Sequence, residues 1–95
     1  MENIINAINR GKVRGYSESK QIEDETYLFE YAIKKNNGQY LAYIFSIDES
    51  KMDVYEDYAI EEIQNFQSVD EALRYLESKG ADIQKLKGIK RVLPF

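Results

Sequence analysis

The chain has 95 residues, a formal net charge of −4, 43% hydrophobic residues, no Cys and no His. That length and apolar share predict one small globular domain. The missing residue types exclude disulfides, Cys- or His-ligated metal centres and His-dependent nucleophilic catalysis.

Met1 to Arg10 reads as a short amphipathic helix, with Ile4, Ile5 and Ile8 on one face and Gly11 as its stop. Glu2, Asn3, Asn6 and Asn9 interrupt this segment, so it lacks the apolar core of a leader. No apolar run approaches the ~20 residues that span a bilayer. With Cys absent as well, a cytoplasmic protein without membrane contact is expected.

Lys12 to Glu18 reads as a first strand, bulged at Gly15. The polar run SESKQIEDE that follows reads as a connection. Next come two alternating segments, TYLFEYAIKK and QYLAYIFSI, separated by Asn36-Asn37-Gly38. Asn-Gly supplies the positive φ values of a tight turn, so residues 26–47 are predicted to form a central β-hairpin. Alternation places one strongly apolar face of each strand against a core: Tyr27, Phe29, Tyr31 and Ile33 on the first, Leu41, Tyr43, Phe45 and Ile47 on the second.

Asp48 to Lys51 reads as a turn. MDVYEDYAIEEIQNF satisfies two patterns: Met52, Val54, Tyr58 and Ile60 alternate as in a strand, whereas Tyr55, Ala59, Ile63 and Phe66 form a helical stripe. A strand starting near Met52 is preferred, because an isolated hairpin needs further pairing. Ser68-Val69-Asp70-Glu71 is a capping box opening a helix over 69–79, and Gly80 ends it. The tail from Ala81 holds one helical turn and then an extended segment. The expected fold is α+β: an antiparallel sheet of three to four strands, covered on one face by the N-terminal helix and the helix at 69–79.

Charge is polarised along the chain. Residues 21–77 hold fourteen acids against four bases, whereas residues 1–20 carry +2 and residues 78–95 carry +4. The densest acidic stretch runs from Asp48 to Glu62. Its acids are Asp48, Glu49, Asp53, Glu56, Asp57, Glu61 and Glu62, with Tyr55 and Tyr58 as aromatic anchors and only Lys51 opposing. The register is poor for a calcium loop: Asp53 stands where the turn glycine belongs, and Ala59 where the bidentate Glu belongs. Acid/base catalysis requires a sheltered carboxylate, and neighbouring exposed acids do not provide one. No glycine-rich phosphate loop is present. The expectation is a non-enzymatic binding protein without cofactor, whose acidic, Tyr-bearing surface engages a protein partner with a basic surface.

The alternative partner is nucleic acid, contacted by Arg10, Lys12, Arg14, Lys85, Lys87, Lys90 and Arg91 should the two basic ends converge. A homo-oligomer in which basic ends meet the acidic centre is a third arrangement. Plain solubility or protection of a sheet edge explains the same charges without any partner.

Overall fold

Asn37 and Gly38 turn the chain with φ of 53° and 79°, both in the left-handed region that a two-residue hairpin loop requires. They join strand β2 (Glu25–Asn36) to β3 (Gln39–Asp48), so the central hairpin forms as its sequence predicts. The computed structural model describes residues 3–54 and 59–88. Around the hairpin it builds an α+β fold: an open antiparallel sheet of five strands and two helices. The further strands are β1 (Arg14–Ile22), β4 (Ile60–Phe66) and β5 (Lys87–Gly88), and the sheet order is β4-β3-β2-β1-β5.

Three expectations are corrected. The sheet has five strands rather than three or four, because the two-residue β5 pairs with β1 at its far side. β1 is longer than its apolar pattern suggests, and its register against β2 runs without interruption from Arg14↔Ile33 to Ile22↔Glu25. There is therefore no bulge at Gly15, and most of the polar "connection" is strand. No strand starts at Met52: Glu49–Val54 is a 3-10 helix, and the next strand among the described residues begins at Ile60. Asp48 favours this turn by accepting the Ser50 backbone N–H (2.9 Å) and hydroxyl (2.8 Å).

Helix α1 (Ile4–Asn9) is capped by Asn3, whose side chain accepts the Ile5 N–H at 2.7 Å. Helix α2 (Val69–Ser78) is capped by Ser68, which accepts the Glu71 N–H at 3.2 Å. Both helices bury their apolar stripes on one sheet face. Ile8 from α1 and Ala72, Leu73 and Leu76 from α2 pack in one core with Tyr16, Tyr31, Ile33, Ala42 and Ile44. Tyr31 is the largest fully buried side chain, 5.2 Å from the Tyr16 ring and stacked on Phe29 at 6.1 Å.

Hairpin geometry decides which face of β3 meets the helices. With Asn36 opposite Gln39, odd residues of β2 share a face with even residues of β3. Tyr31 therefore lies beside Ile44, and Ile33 beside Ala42. The bulkier set expected in this core, Leu41, Tyr43, Phe45 and Ile47, points to the opposite face with Leu28 and Ala32. Ala32, Tyr43 and Ile47 are buried there, so the sheet has apolar layers on both sides.

Candidate functional site

The β1–β2 turn and the end of β3 lie at the same end of the sheet. The turn consists of Glu23 and Asp24, flanked by the Ile22↔Glu25 pair, while Asp48 closes the β3 ladder opposite Tyr27. Five carboxylates from two distant segments, Glu23, Asp24, Glu25, Asp48 and Glu49, thus come to one end of the sheet: Glu23, Glu25 and Asp48 act on Tyr27, whereas Glu49 reaches Ser19 on the opposite face. All except Asp48 are exposed. The Tyr27 hydroxyl donates to Glu25 Oε2 at 3.1 Å. Its pKa is raised, first by that bond and by the charge of Glu25, with Asp48 and Glu23 adding smaller contributions. Asp48 is held below the ordinary carboxylate value, first by the Ser50 backbone N–H and then by a side-chain hydrogen bond with Glu25. Glu49 accepts from the Ser19 hydroxyl at 2.7 Å, which ties the 3-10 helix to β1.

Glu23 takes φ 57°, a left-handed conformation that costs an L-residue about 1–2 kcal/mol. Glycine or asparagine would fill this position with less strain. Beside the turn Ile22 stands 46% exposed, an apolar side chain within the acidic rim.

The sequence-predicted acidic surface is only partly brought together. Asp48 and Glu49 belong to the sheet-end cluster. Asp53 lies in the 3-10 helix, although its side chain is outside the described residues, as are Tyr55, Glu56, Asp57 and Tyr58 altogether. Glu61 and Glu62 sit on β4 and, being consecutive strand residues, point to opposite faces. Each meets a tyrosine of its own face: the Tyr43 hydroxyl donates to Glu61 at 3.3 Å, and the Tyr75 hydroxyl to Glu62 at 2.7 Å. Lys79 approaches Glu62 to 3.7 Å. These two acids are therefore engaged with the protein's own side chains.

Glu23, Asp24 and Glu25 escaped the sequence reading. The available signal was the EDE run at a polarity maximum between two strands. It stayed hidden because Glu-Asp is not a recognised two-residue turn and β1 lacks apolar alternation.

The basic segments do converge in the fold, at the opposite end of β1. Arg14 pairs with Gly88, and Gly15 with Lys87. The Arg14 guanidinium lies so close over Gly88 that a Cβ there would meet Nη1 at 3.0 Å. Arg10 caps the C-terminus of α1, Lys12 follows it, and Lys85 ends a 3-10 turn at Ile83–Lys85. Lys34 and Lys35, at the end of β2, belong to the same end of the sheet. Adjacent positions on β1 point to opposite faces, however, so Arg14 and Lys87 do not share one. Lys90 and Arg91 lie outside the described residues.

From Arg14 to Ile22 the strand spans eight residue steps, about 27 Å at ~3.4 Å each. The screening length in physiological salt is about 8 Å. The two charge clusters consequently act on their surroundings as separate poles.

No family model, curated protein or solved structure matches this chain. Among the described residues no helix is long and apolar enough to cross a membrane. Nor do three carboxylates come together in a way that could hold a metal ion. The chemistry available at the acidic pole is attraction of cationic groups, with a tyrosine and an isoleucine offering contact area.

Proposed function

We propose that this protein is a non-enzymatic, cytoplasmic binding protein that regulates or inhibits a basic macromolecular partner, in the manner of an immunity or phage-inhibitor protein. Its contact surface is the acidic end of the sheet. One observation carries the reading: strand pairing brings Glu23, Asp24 and Glu25 to the same end of the sheet as Asp48 and Glu49, some 27 Å from the basic pole. Although Lys20 pairs with Tyr27 and Lys51 lies near Asp48, the excess of negative charge at this end orients an oppositely charged partner during approach and speeds association. Tyr27 and Ile22 then supply the apolar contact that holds it.

Affinity capture from nuclease-treated native cell extract tests the proposal, using the wild type and a Glu23→Lys, Asp24→Lys, Glu25→Lys variant. The wild type should retain a basic protein that the variant loses, with unchanged circular dichroism. The measured loss should lie mainly in the association rate. Retention of the same partner by the variant would remove the acidic pole from the mechanism.

A second reading is a nucleic-acid-associated accessory protein, supported by the β1–β5 pairing that joins Arg14 and Lys87 at one edge. It requires capture to disappear on nuclease treatment and affinity to fall steeply with salt. Charge reversal at Arg10 and Lys12, not at Glu23 to Glu25, would then abolish binding.

A further inference from the structure

We infer that β4 is a self-pairing edge through which two copies of this chain form a ten-stranded sheet about a two-fold axis at Ile63. Among the described residues β4 is the outermost strand on its side, with seven residues paired to β3 along one edge only. Apart from Glu61 and Glu62 it lacks the usual guards of an open edge, having no Pro, no Lys and an uninterrupted register from Tyr40↔Phe66 to Ser46↔Ile60. Its two charges are turned toward Tyr43 and Tyr75 of its own fold. Among its exposed residues, beside Glu61, Gln64 and Asn65, are two large apolar side chains: Ile60 is 60% exposed and Ile63 44%.

The strand sequence, IEEIQNF, is complementary to itself in one antiparallel register. Centred on Ile63, that register sets Ile63 against Ile63 of the second copy and Ile60 against Phe66. Glu62 then faces Gln64, and Glu61 faces Asn65. Each carboxylate meets a side-chain amide able to donate to it, and each apolar side chain meets another. Competing arrangements are worse. Centring on Glu61 or Glu62 places identical carboxylates face to face, as does a parallel in-register pair. Centring on Gln64 sets Glu62 against Phe66.

The rest of the fold leaves room. A two-fold axis normal to the sheet puts both α2 helices on the same face. α2 packs chiefly over β3, so its two copies stand about three strand spacings apart, roughly 14 Å. Directly packed helices approach to about 8–10 Å, so the pair does not collide. Because each chain carries −4, the dimer tightens as salt rises. A dimer joining basic ends to acidic ends would weaken instead. This inference is independent of the function proposed above.

Sedimentation equilibrium and a set of Ile63 variants test it. Wild-type protein should form a concentration-dependent dimer that strengthens with salt. Ile63→Lys and Ile63→Glu should each weaken it by at least about tenfold, through like charges set directly opposite. Mixing those two variants should restore a one-to-one dimer, a result specific to a register in which position 63 faces itself. Should either variant fail to fold, cross-linking decides. Opposed residues of an antiparallel pair have Cα atoms roughly 4.5–5.5 Å apart, within disulfide reach. In this Cys-free chain Ile63→Cys should cross-link under mild oxidation far faster than Ile22→Cys. A wild type that stays monomeric at all concentrations overturns the inference and leaves β4 to a foreign strand or to none. A dimer insensitive to Ile63→Lys, or equal cross-linking of the two Cys variants, overturns it as well.

Discussion

Tyr16 and Asp82, 66 residues apart in the chain, are joined by a hydrogen bond: the Asp82 N–H donates to the Tyr16 hydroxyl at 2.7 Å. That hydroxyl in turn donates to Glu18 Oε2 at 2.9 Å. The relay fastens the segment after α2 to β1, and the Tyr16 ring is buried between them.

Alkaline pH should loosen this joint. Burial is the main cause that pushes Tyr16 up to about 12, against the lowering effect of the Asp82 N–H and with Glu18 adding to the rise. The folded state thus keeps a proton that the unfolded chain releases near pH 10. Stability from this group is complete below about pH 10 and is lost as pH climbs toward 12. Urea titrations across that window should show a smaller decline for Tyr16→Phe than for the wild type. At neutral pH the same variant should cost about 1–3 kcal/mol, because the buried-side Asp82 N–H loses its acceptor.

Tyr75 offers a separable case. Its hydroxyl, bonded to Glu62 at 2.7 Å, is also pushed up to about 12, first by burial and then by that bond and the charge of Glu62. Glu62→Gln removes the charge while leaving the burial. A tyrosine-ring NMR titration should then place Tyr75 below its wild-type value but still above 10. An unchanged value would mean that Glu62 does not perturb it.

Gly80 should accept a side chain only at a cost to stability. Its φ is 100°, and an added Cβ would lie 2.8 Å from the Lys20 Nζ. That ammonium donates to the Gly80 carbonyl at 2.9 Å and sits 5.2 Å from the Phe29 ring centre. Gly80→Ala therefore adds to a backbone strain of about 1–2 kcal/mol the smaller cost of moving the flexible end of Lys20 off the Gly80 carbonyl. Gly38→Ala, with φ 79° and open space around it, should cost only the backbone part, about 1 kcal/mol. In a double-mutant cycle Lys20→Ala should relieve part of the Gly80→Ala cost, and strict additivity would refute the clash.

Truncation should separate the helix-covered core from the exposed apolar positions. Leu76 is fully buried beneath α2, so Leu76→Ala should cost about 2–5 kcal/mol. Ile22, 46% exposed, should lose less than about 0.5 kcal/mol on the same change. Chemical denaturation of both variants gives the comparison.

Much of this fold is legible in the residues because its signals are local. Asn36-Asn37-Gly38 between alternating runs announces the hairpin, and Ser68 with Gly80 brackets α2. β1 is the counterexample. Beyond Tyr16 it offers Ser17, Glu18, Ser19, Lys20 and Gln21, with no apolar alternation to detect. Its main-chain pairing to β2 holds it in place, helped by Lys20 lying over Phe29 and Tyr31. The faces of β3 were misassigned for a related reason. Side-chain bulk favours Tyr43 and Phe45 for the helix-covered core, but the two-residue turn sets the parity and delivers Ala42 and Ile44 instead.

The candidate site depended even more on the third dimension. Asp48 to Glu62 is continuous in the chain, yet Glu61 and Glu62 splay to opposite faces and meet tyrosines. Glu23 to Glu25, absent from that stretch, arrive beside Asp48 because β2 carries them there.

By itself the sequence determined the α+β class, the central hairpin, the capped helix and the exclusion of Cys and His chemistry. Each of these depends on residue type or on neighbours within one turn or one hairpin. Only the tertiary structure decided which charges meet, that both basic ends join at one sheet edge, and which face of each strand is covered. Those outcomes follow from strand register, which is fixed by main-chain pairing between distant segments, where a shift of one residue exchanges the two faces.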